Sequence, residues 1–135
     1  MNKLHSKLKI IFPLILSIFF TASLAHADFQ KGLTAYKNKD YAIAIAEWEP
    51  LAQKGYAGAA YKLGKIYQLG QGVPQDYGKA MKWFKHAGKK GVYGAKKKFW
   101  RGAAYYTLGL MHIKGEGVAK NKKKAVSLFK KSSRV

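Results

Sequence analysis

Small and apolar residues recur at helical spacing in two neighbouring segments near the middle of the chain. In each segment they fall at i, i+3, i+4 and i+7, which places them on one face of an α-helix. The first set is Ala60, Leu63, Gly64 and Tyr67, and the second set is Ala80, Trp83, Phe84 and Ala87. The pattern predicts two amphipathic helices, each with one face to bury.

A glycine-rich turn joins these two segments. Residues 70–76 read GQGVPQD, so Gly70 can end the first helix and Asp76 can cap the second. Small residues on one predicted helix oppose large aromatic residues on the other, which lets the two helices approach closely. The stretch therefore predicts a helix hairpin. One partner helix cannot bury either apolar face fully, so the hairpin needs stacked neighbours.

The rest of the chain partly repeats this hairpin. The apolar positions and the turn return 45 residues later, where the turn contains Gly115 and Gly117 and the capping position holds Asn121. The second helix also has a counterpart 36 residues earlier, with Asp40 at the capping position and Trp48 at the aromatic one. The predicted hairpins span residues 28–55, 56–91 and 92–135. The sequence thus predicts an all-α fold, a short α-solenoid of about three antiparallel helix hairpins.

The combined pattern, AxxxLGxxYxxGxGVxxDxxxAxxWxxxA, resembles the Sel-like (Sel-one-like) repeat family, which is related to the tetratricopeptide repeats. The resemblance covers nearly all of residues 28–135, with one full match, one degraded match and one atypical leading hairpin. The opening stretch from Phe29 to Gly55 is also similar to the leading segment of many secreted bacterial members. The resemblance implies a Sel-like repeat domain over residues 28–135 that acts as a scaffold for binding other proteins.

Members of this family bind partners on a concave face lined by the first helix of each hairpin. The resemblance therefore implies a partner-binding site on that face of this chain. The residues expected there are Tyr61, Lys62, Lys65, Gln68, Tyr106 and Leu110. Tyrosines suit this role because they bury a large area at low entropic cost and keep a polar tip. The partner itself is not indicated by the sequence.

The N-terminal segment has the pattern of a secretory signal. Three lysines precede an apolar run over residues 10–20, and Ala25-His26-Ala27 offers a cleavage site before Asp28. We expect residues 1–27 to be a signal peptide that is cleaved after Ala27, so that the mature protein is periplasmic or secreted. An uncleaved membrane anchor is the alternative, although the run is short for a span of about 20 residues.

The charge is strongly positive and unevenly distributed. The chain has 26 Lys and Arg against six Asp and Glu, a net charge of +20, and residues 62–135 carry 19 of the basic residues but only two acidic ones. Such a field attracts polyanions and weakens in salt. Export would separate the protein from the chromosome, so lipopolysaccharide, anionic lipid, cell-wall polymers or an acidic protein are better candidates than nucleic acid. Simple solubility is the alternative interpretation.

Residues 92–102 shift the third hairpin nine positions later than a regular 36-residue repeat would place it. If this insert is helical and continuous with residues 103–113, the helix has a second apolar face in addition to the apolar face that carries the repeat pattern. That second face comprises Ala95, Phe99, Ala103, Tyr106 and Leu110. One expectation is that it packs on residues 76–90.

The other expectation for the insert is an exposed aromatic and basic patch for a partner groove or an anionic membrane surface. Its members would be Lys96, Lys97, Lys98, Phe99, Trp100 and Arg101, together with Lys122, Lys123 and Lys124 of the last hairpin. No polar closing helix follows that hairpin in the sequence, and solenoids usually need one. A homodimer through the uncapped C-terminal hairpin is therefore a further hypothesis.

Two residues of the leading hairpin carry signals for its second helix. Asp40 is expected to cap this helix, and Pro50 is expected to bend or end it.

The chain has no cysteine, and its histidines after the signal, His86 and His112, have no carboxylate at metal-ligand spacing. We therefore predict no enzymatic activity, no cofactor and no metal site.

Overall fold

A computed structural model of the chain describes residues 24–89 and 91–135, which form six α-helices arranged as three antiparallel hairpins. The first helix, α1, covers residues 24–37 of this part of the chain. The others are α2 Tyr41–Gln53, α3 Ala57–Leu69, α4 Tyr77–Ala87, α5 Lys97–Lys114 and α6 Lys122–Ser132. The prediction of an all-α solenoid is confirmed.

The N-terminal predictions fall mostly outside this description. The basic and apolar parts of the expected signal peptide lie in residues 1–23, which are outside the described residues. No helix in residues 24–89 or 91–135 is both long and apolar enough to cross a membrane.

Each hairpin is held together by an aromatic ring of its second helix lying on a glycine of its first. A Cβ atom built on Gly64 would lie 2.6 Å from Cε1 of Phe84, so only glycine leaves room for the ring. Gly109 is related to Phe129 in the same way in the third hairpin, and Gly32 to Trp48 in the first. The predicted packing of small against large residues is therefore confirmed.

The hairpins stack on one another and share a continuous apolar core. α3 packs on α2, α4 and α5, so the middle hairpin joins the outer two. The largest fully buried side chains come from all three hairpins: Trp48, Phe84, Leu63, Ile66 and Met111. Burial of apolar surface stabilises this arrangement by roughly 25 cal/mol per Å².

Two of the three predicted helix caps are present. Oδ1 of Asp76 accepts a hydrogen bond from the backbone N–H of Lys79 at 2.8 Å, and Oδ1 of Asn121 accepts one from Lys124 at 2.8 Å. The prediction for Asp40 is wrong, because its side chain makes no capping bond. Asp76 and Asn121 have extended backbones, with ψ of 95° and 92°, whereas the short turn before α2 holds Asp40 at ψ 65°.

Pro50 does not end α2. The helix continues three residues further, to Gln53. Proline removes one backbone donor from a helix, but Pro50 is solvent-exposed and its carbonyl still accepts a hydrogen bond from the N–H of Lys54 at 3.3 Å. Of the two predicted effects of Pro50, ending the helix is therefore wrong, while bending it stays a prediction.

The insert after α4 is part linker and part helix. Residues 92–96 cross back to the start of α3, where the N–H of Tyr93 donates to the carbonyl of Gly55 at 3.0 Å and the N–H of Ala57 donates to the carbonyl of Tyr93 at 3.1 Å. α5 then begins at Lys97 and runs without interruption to Lys114. The linker thus fixes the start of α5 beside the start of α3.

The second apolar face of α5 is not packed on residues 76–90. Phe99 is 62% exposed and Tyr106 is 53% exposed. The contact with α4 is instead made by Tyr105, whose hydroxyl donates to the carbonyl of Gly88. The expectation that the second face would be buried there is wrong, because the linker sets a rotation of α5 that turns this face away from α4.

Candidate binding surfaces

The first helices of the three hairpins, α1, α3 and α5, form the side that was predicted to be the concave face. Lys62 lies at its centre, with Nζ 5.3 Å from the ring centroid of Tyr36 on α1 and 5.8 Å from that of Trp100 on α5. A lysine over an aromatic ring gains about 0.5–2 kcal/mol, more where water is excluded. One side chain therefore connects all three hairpins on this face.

The ammonium group of Lys62 lies in an unfavourable environment for a charge. Partial burial lowers the pKa of Lys62 below its ordinary value, and the charges of Lys37 and Lys65 lower it further. An anionic group arriving at this point would relieve that penalty. The centre of the concave face is thus electrostatically suited to an acidic ligand group.

A polar network lies beside Lys62 and links the second and third hairpins. Nζ of Lys65 donates to Oε1 of Gln68 at 2.9 Å, and Nε2 of Gln68 donates to Oε2 of Glu116 at 3.1 Å. Burial lowers the pKa of Lys65, while Glu116 partly opposes the shift and Lys114 adds to it. Glu116 is one of only two acidic residues after residue 61. The network therefore contains half of the negatively charged side chains in this part of the sequence.

The six residues predicted for the concave face occupy two different places. Tyr61 is half-buried between hairpins, with its ring centroid 5.5 Å from Phe84 and 5.3 Å from Trp100. Lys62, Lys65 and Gln68 lie near it. Tyr106 and Leu110 occupy the equivalent positions one repeat later, and therefore lie on the side of α5 that is turned away from α3.

The predicted basic patch is divided as well. Lys96, Lys97, Lys98 and Phe99 are exposed around the start of α5, as are Lys122, Lys123 and Lys124 at the start of α6. Trp100 and Arg101 are only half-exposed. Trp100 packs on Tyr61 and on Phe29, whose ring centroid lies 6.4 Å away, so its role includes holding the hairpins together.

Comparison with known proteins identifies the family. A sequence model of the Sel1 repeat matches residues 57–92 and 102–134, about half of the chain. The chain belongs to the Sel1 repeat family. Its fold is similar to the crystal structure of a Sel1 repeat protein from Oxalobacter formigenes, with a TM-score of 0.70, 22% identity and coverage of 87% of both chains. A search of curated proteins found no match for this sequence.

The Sel1 repeats explain most of the geometry above. Such repeats mediate protein–protein interaction and belong to non-catalytic scaffolds. The two matched segments correspond to α3 with α4 and to α5 with α6. Residues 93–101 lie outside the matches, so the linker and the first turn of α5, including Phe99 and Trp100, are additions to the Sel1 frame.

Two residues of the concave face were not predicted from the sequence. Tyr36 was not among the residues predicted for this face, but its ring borders Lys62 and its hydroxyl donates to Oε1 of Gln71 at 2.8 Å. Glu116 was not among them either, although its Oε2 accepts a hydrogen bond from Nε2 of Gln68. The rarity of acidic residues after residue 61 was an available signal for Glu116.

Chemically reactive groups are sparse in the Sel1 repeat domain. No group of three or more His, Asp or Glu side chains in the described part of the chain is arranged to hold a metal ion. His86 stacks on Trp83 with ring centroids 5.9 Å apart, and burial, together with Lys89, lowers the pKa of its imidazole. The described surfaces therefore offer aromatic and cationic contacts for docking.

Proposed function

We propose that this protein is a non-enzymatic adaptor of the bacterial envelope that binds a protein partner on its concave face. The observation that supports the proposal is a row of three side chains, one from each hairpin, in which the ammonium group of Lys62 lies over the rings of Tyr36 and Trp100. Aromatic side chains and a partly desolvated charge at the centre of a surface are typical of residues that dominate binding energy.

Binding would proceed by docking alone. The rings of Tyr36 and Trp100 supply apolar contact area, and Lys62 supplies a charge whose pKa is already lowered by burial. An acidic group on the partner would pair with that charge. The many exposed lysines around this face would mainly increase the association rate, because long-range electrostatic attraction steers the encounter.

A capture experiment with matched variants tests this assignment. Lys62→Gln removes the central charge, and Lys82→Gln removes an exposed lysine from α4 on the opposite side of the hairpin. We expect proteins captured from envelope extract by the wild type, and retained at high salt, to be lost with Lys62→Gln and kept with Lys82→Gln. Circular dichroism of each variant checks that the helices are intact. Equal capture by both variants would remove the concave-face assignment.

The envelope location is part of the proposal and needs its own measurement. It rests on the signal-like pattern of residues 1–27, in which an apolar run precedes Ala25-His26-Ala27. Export would place Asp28 at the N-terminus of the mature protein. We therefore expect N-terminal sequencing of protein recovered from the periplasm or the medium to begin at Asp28. Recovery of the full-length chain from the cytoplasm alone would contradict export.

A second candidate function is binding of an anionic envelope component such as lipopolysaccharide, anionic lipid or a cell-wall polymer. The observation that favours it is the exposed group Lys96, Lys97, Lys98 and Phe99 at the start of α5. Cosedimentation with vesicles containing anionic lipid would be broad and salt-sensitive in that case. Replacing the three lysines by glutamine would abolish it, while Lys62→Gln would not.

A further inference from the structure

The third hairpin has an apolar face that the other described residues leave largely exposed. On α5, Phe99, Tyr106 and Ile113 are 62%, 53% and 42% exposed and fall on one side of the helix. Half-buried Leu110 lies between the last two, and Val126 on α6 is 51% exposed. We call this surface the open face.

A comparison with the second hairpin shows how the equivalent surface is packed there. Positions 45 residues apart correspond, so Tyr106 is equivalent to Tyr61 and Val126 to Met81. Met81 is 8% exposed, whereas Val126 is 51% exposed. Tyr61 is covered by Trp100 of α5. At Tyr106 and Val126 the open face therefore corresponds to the surface of the second hairpin that is covered in the solenoid, at Tyr61 by α5.

A cavity of about 390 Å³ that is wide open to solvent lies within the open face, between the start of α5 and the end of α6. Ala103 and Tyr106 line it on one side. Their equivalents in the preceding hairpin are Gly58 and Tyr61, and both of those contact the indole of Trp100. The cavity thus occupies the position that an aromatic side chain fills one repeat earlier.

Charge indicates which kind of helix would fit. Neither α5 nor α6 contains an acidic residue, and Lys98 lines the cavity beside Phe99. A second copy of this chain would bring another lysine-rich surface against this one, which like-charge repulsion opposes. A helix with acidic residues flanking an apolar stripe would instead pair with the lysines at the edges while covering the apolar side chains.

We propose that the open face binds an acidic amphipathic α-helix of another protein, with a tryptophan or similar ring entering the cavity as Trp100 does on the preceding hairpin. This binding mode extends the internal stacking of the solenoid to a partner. It is separate from the concave-face site at Lys62, because that lysine contacts Tyr36 and Trp100. The open face begins one repeat further along the solenoid, at Tyr106. The two proposals can therefore fail independently.

Fluorescence anisotropy with synthetic helical peptides tests the proposal. The probe is a labelled amphipathic peptide with glutamates beside an apolar stripe that contains one tryptophan, and the purified protein is titrated into it. We expect binding that weakens by about tenfold or more when the peptide tryptophan becomes alanine, as for a central anchor. A peptide with lysines in place of the glutamates should not bind.

Variants of the protein locate the binding surface. Tyr106→Ser lies on the open face and should weaken binding by about tenfold or more. Ile43→Ser is its matched control, since Ile43 is 55% exposed on α2 at the other end of the solenoid, and it should leave the affinity unchanged. Lys62→Gln should also leave it unchanged, which separates this site from the concave face.

Three results would overturn the proposal. The first is failure of the acidic peptide to bind, or equal binding of the lysine-flanked peptide. The second is loss of peptide binding with Lys62→Gln but not with Tyr106→Ser, which would move the peptide to the concave face. The third is a dimer in sedimentation velocity that Tyr106→Ser dissociates, which would make a second copy the occupant of the open face.

Discussion

Helix capping at single residues distinguishes the first hairpin from the other two. Asp76 and Asn121 each stand at the end of a seven-residue glycine-containing turn, residues 70–76 and 115–121, and each accepts a hydrogen bond from the third N–H of the following helix. Asp40 follows a shorter turn that begins at residue 38, and its ψ is 65°, compared with 95° at Asp76 and 92° at Asn121. An aspartate at the start of a helix therefore caps it in one hairpin and not in the other. The backbone before the aspartate decides whether its carboxylate can reach the N–H of the third helical residue.

A matched pair of substitutions measures this difference. Asp76→Ala should lower the free energy of unfolding by about 1 kcal/mol, since it leaves the N–H of Lys79 without its capping partner. Asp40→Ala should lower it by less, because no capping bond is lost. Asp76 also lies 4.0 Å from Nζ of Lys79, but an exposed ion pair of this kind adds little to the difference. Urea denaturation followed by circular dichroism gives both values, and equal losses would contradict the assignment.

At the scale of elements, α5 carries the features that distinguish this chain from a regular repeat. It is 18 residues long, five to seven residues longer than the other helices between Tyr41 and Ser132. Its added first turn places Trp100 between the hairpins and leaves Phe99 in solvent. Of these two adjacent aromatic residues, Trp100 therefore stabilises the fold, and Phe99 contributes to the surface.

Substitution of each aromatic residue by alanine tests that division. Trp100→Ala should lower the free energy of unfolding by about 2 kcal/mol, because it removes the ring packed on Phe29 and Tyr61. Phe99→Ala should change it by less than about 0.5 kcal/mol, since the side chain is 62% exposed. Thermal or urea denaturation distinguishes the two. A larger loss for Phe99→Ala would mean that the open face is covered within the chain.

For the whole molecule, uneven charge is the dominant property. Residues 62–135 hold 19 of the 26 basic residues, and the two acidic residues there are engaged in a helix cap and in the network with Gln68. The basic side chains of the second and third hairpins therefore repel one another, and this part of the molecule attracts anions. This field should make the association rate of an acidic partner dependent on ionic strength in both proposed binding modes.

The stability of the fold should rise with salt. Counter-ions screen the repulsion among lysines over a Debye length of about 8 Å at physiological ionic strength, so added sodium chloride should raise the melting temperature. Replacement of Lys122, Lys123 and Lys124 by glutamine should raise the melting temperature at low salt and flatten its dependence on salt. Melting curves over a salt series provide the test. A wild-type melting temperature that falls with added salt would contradict it.

The helices, their hairpin order and the Sel1 frame follow from the sequence alone, because helical spacing, glycine turns and capping residues are local signals. The three-dimensional structure was needed for everything that depends on how α5 is rotated. The linker at Tyr93 sets that rotation through hydrogen bonds to Gly55 and Ala57, which are close only in space. This is why Trp100 is packed between hairpins while Phe99 and Tyr106 remain exposed, a division that no spacing rule in the sequence predicts.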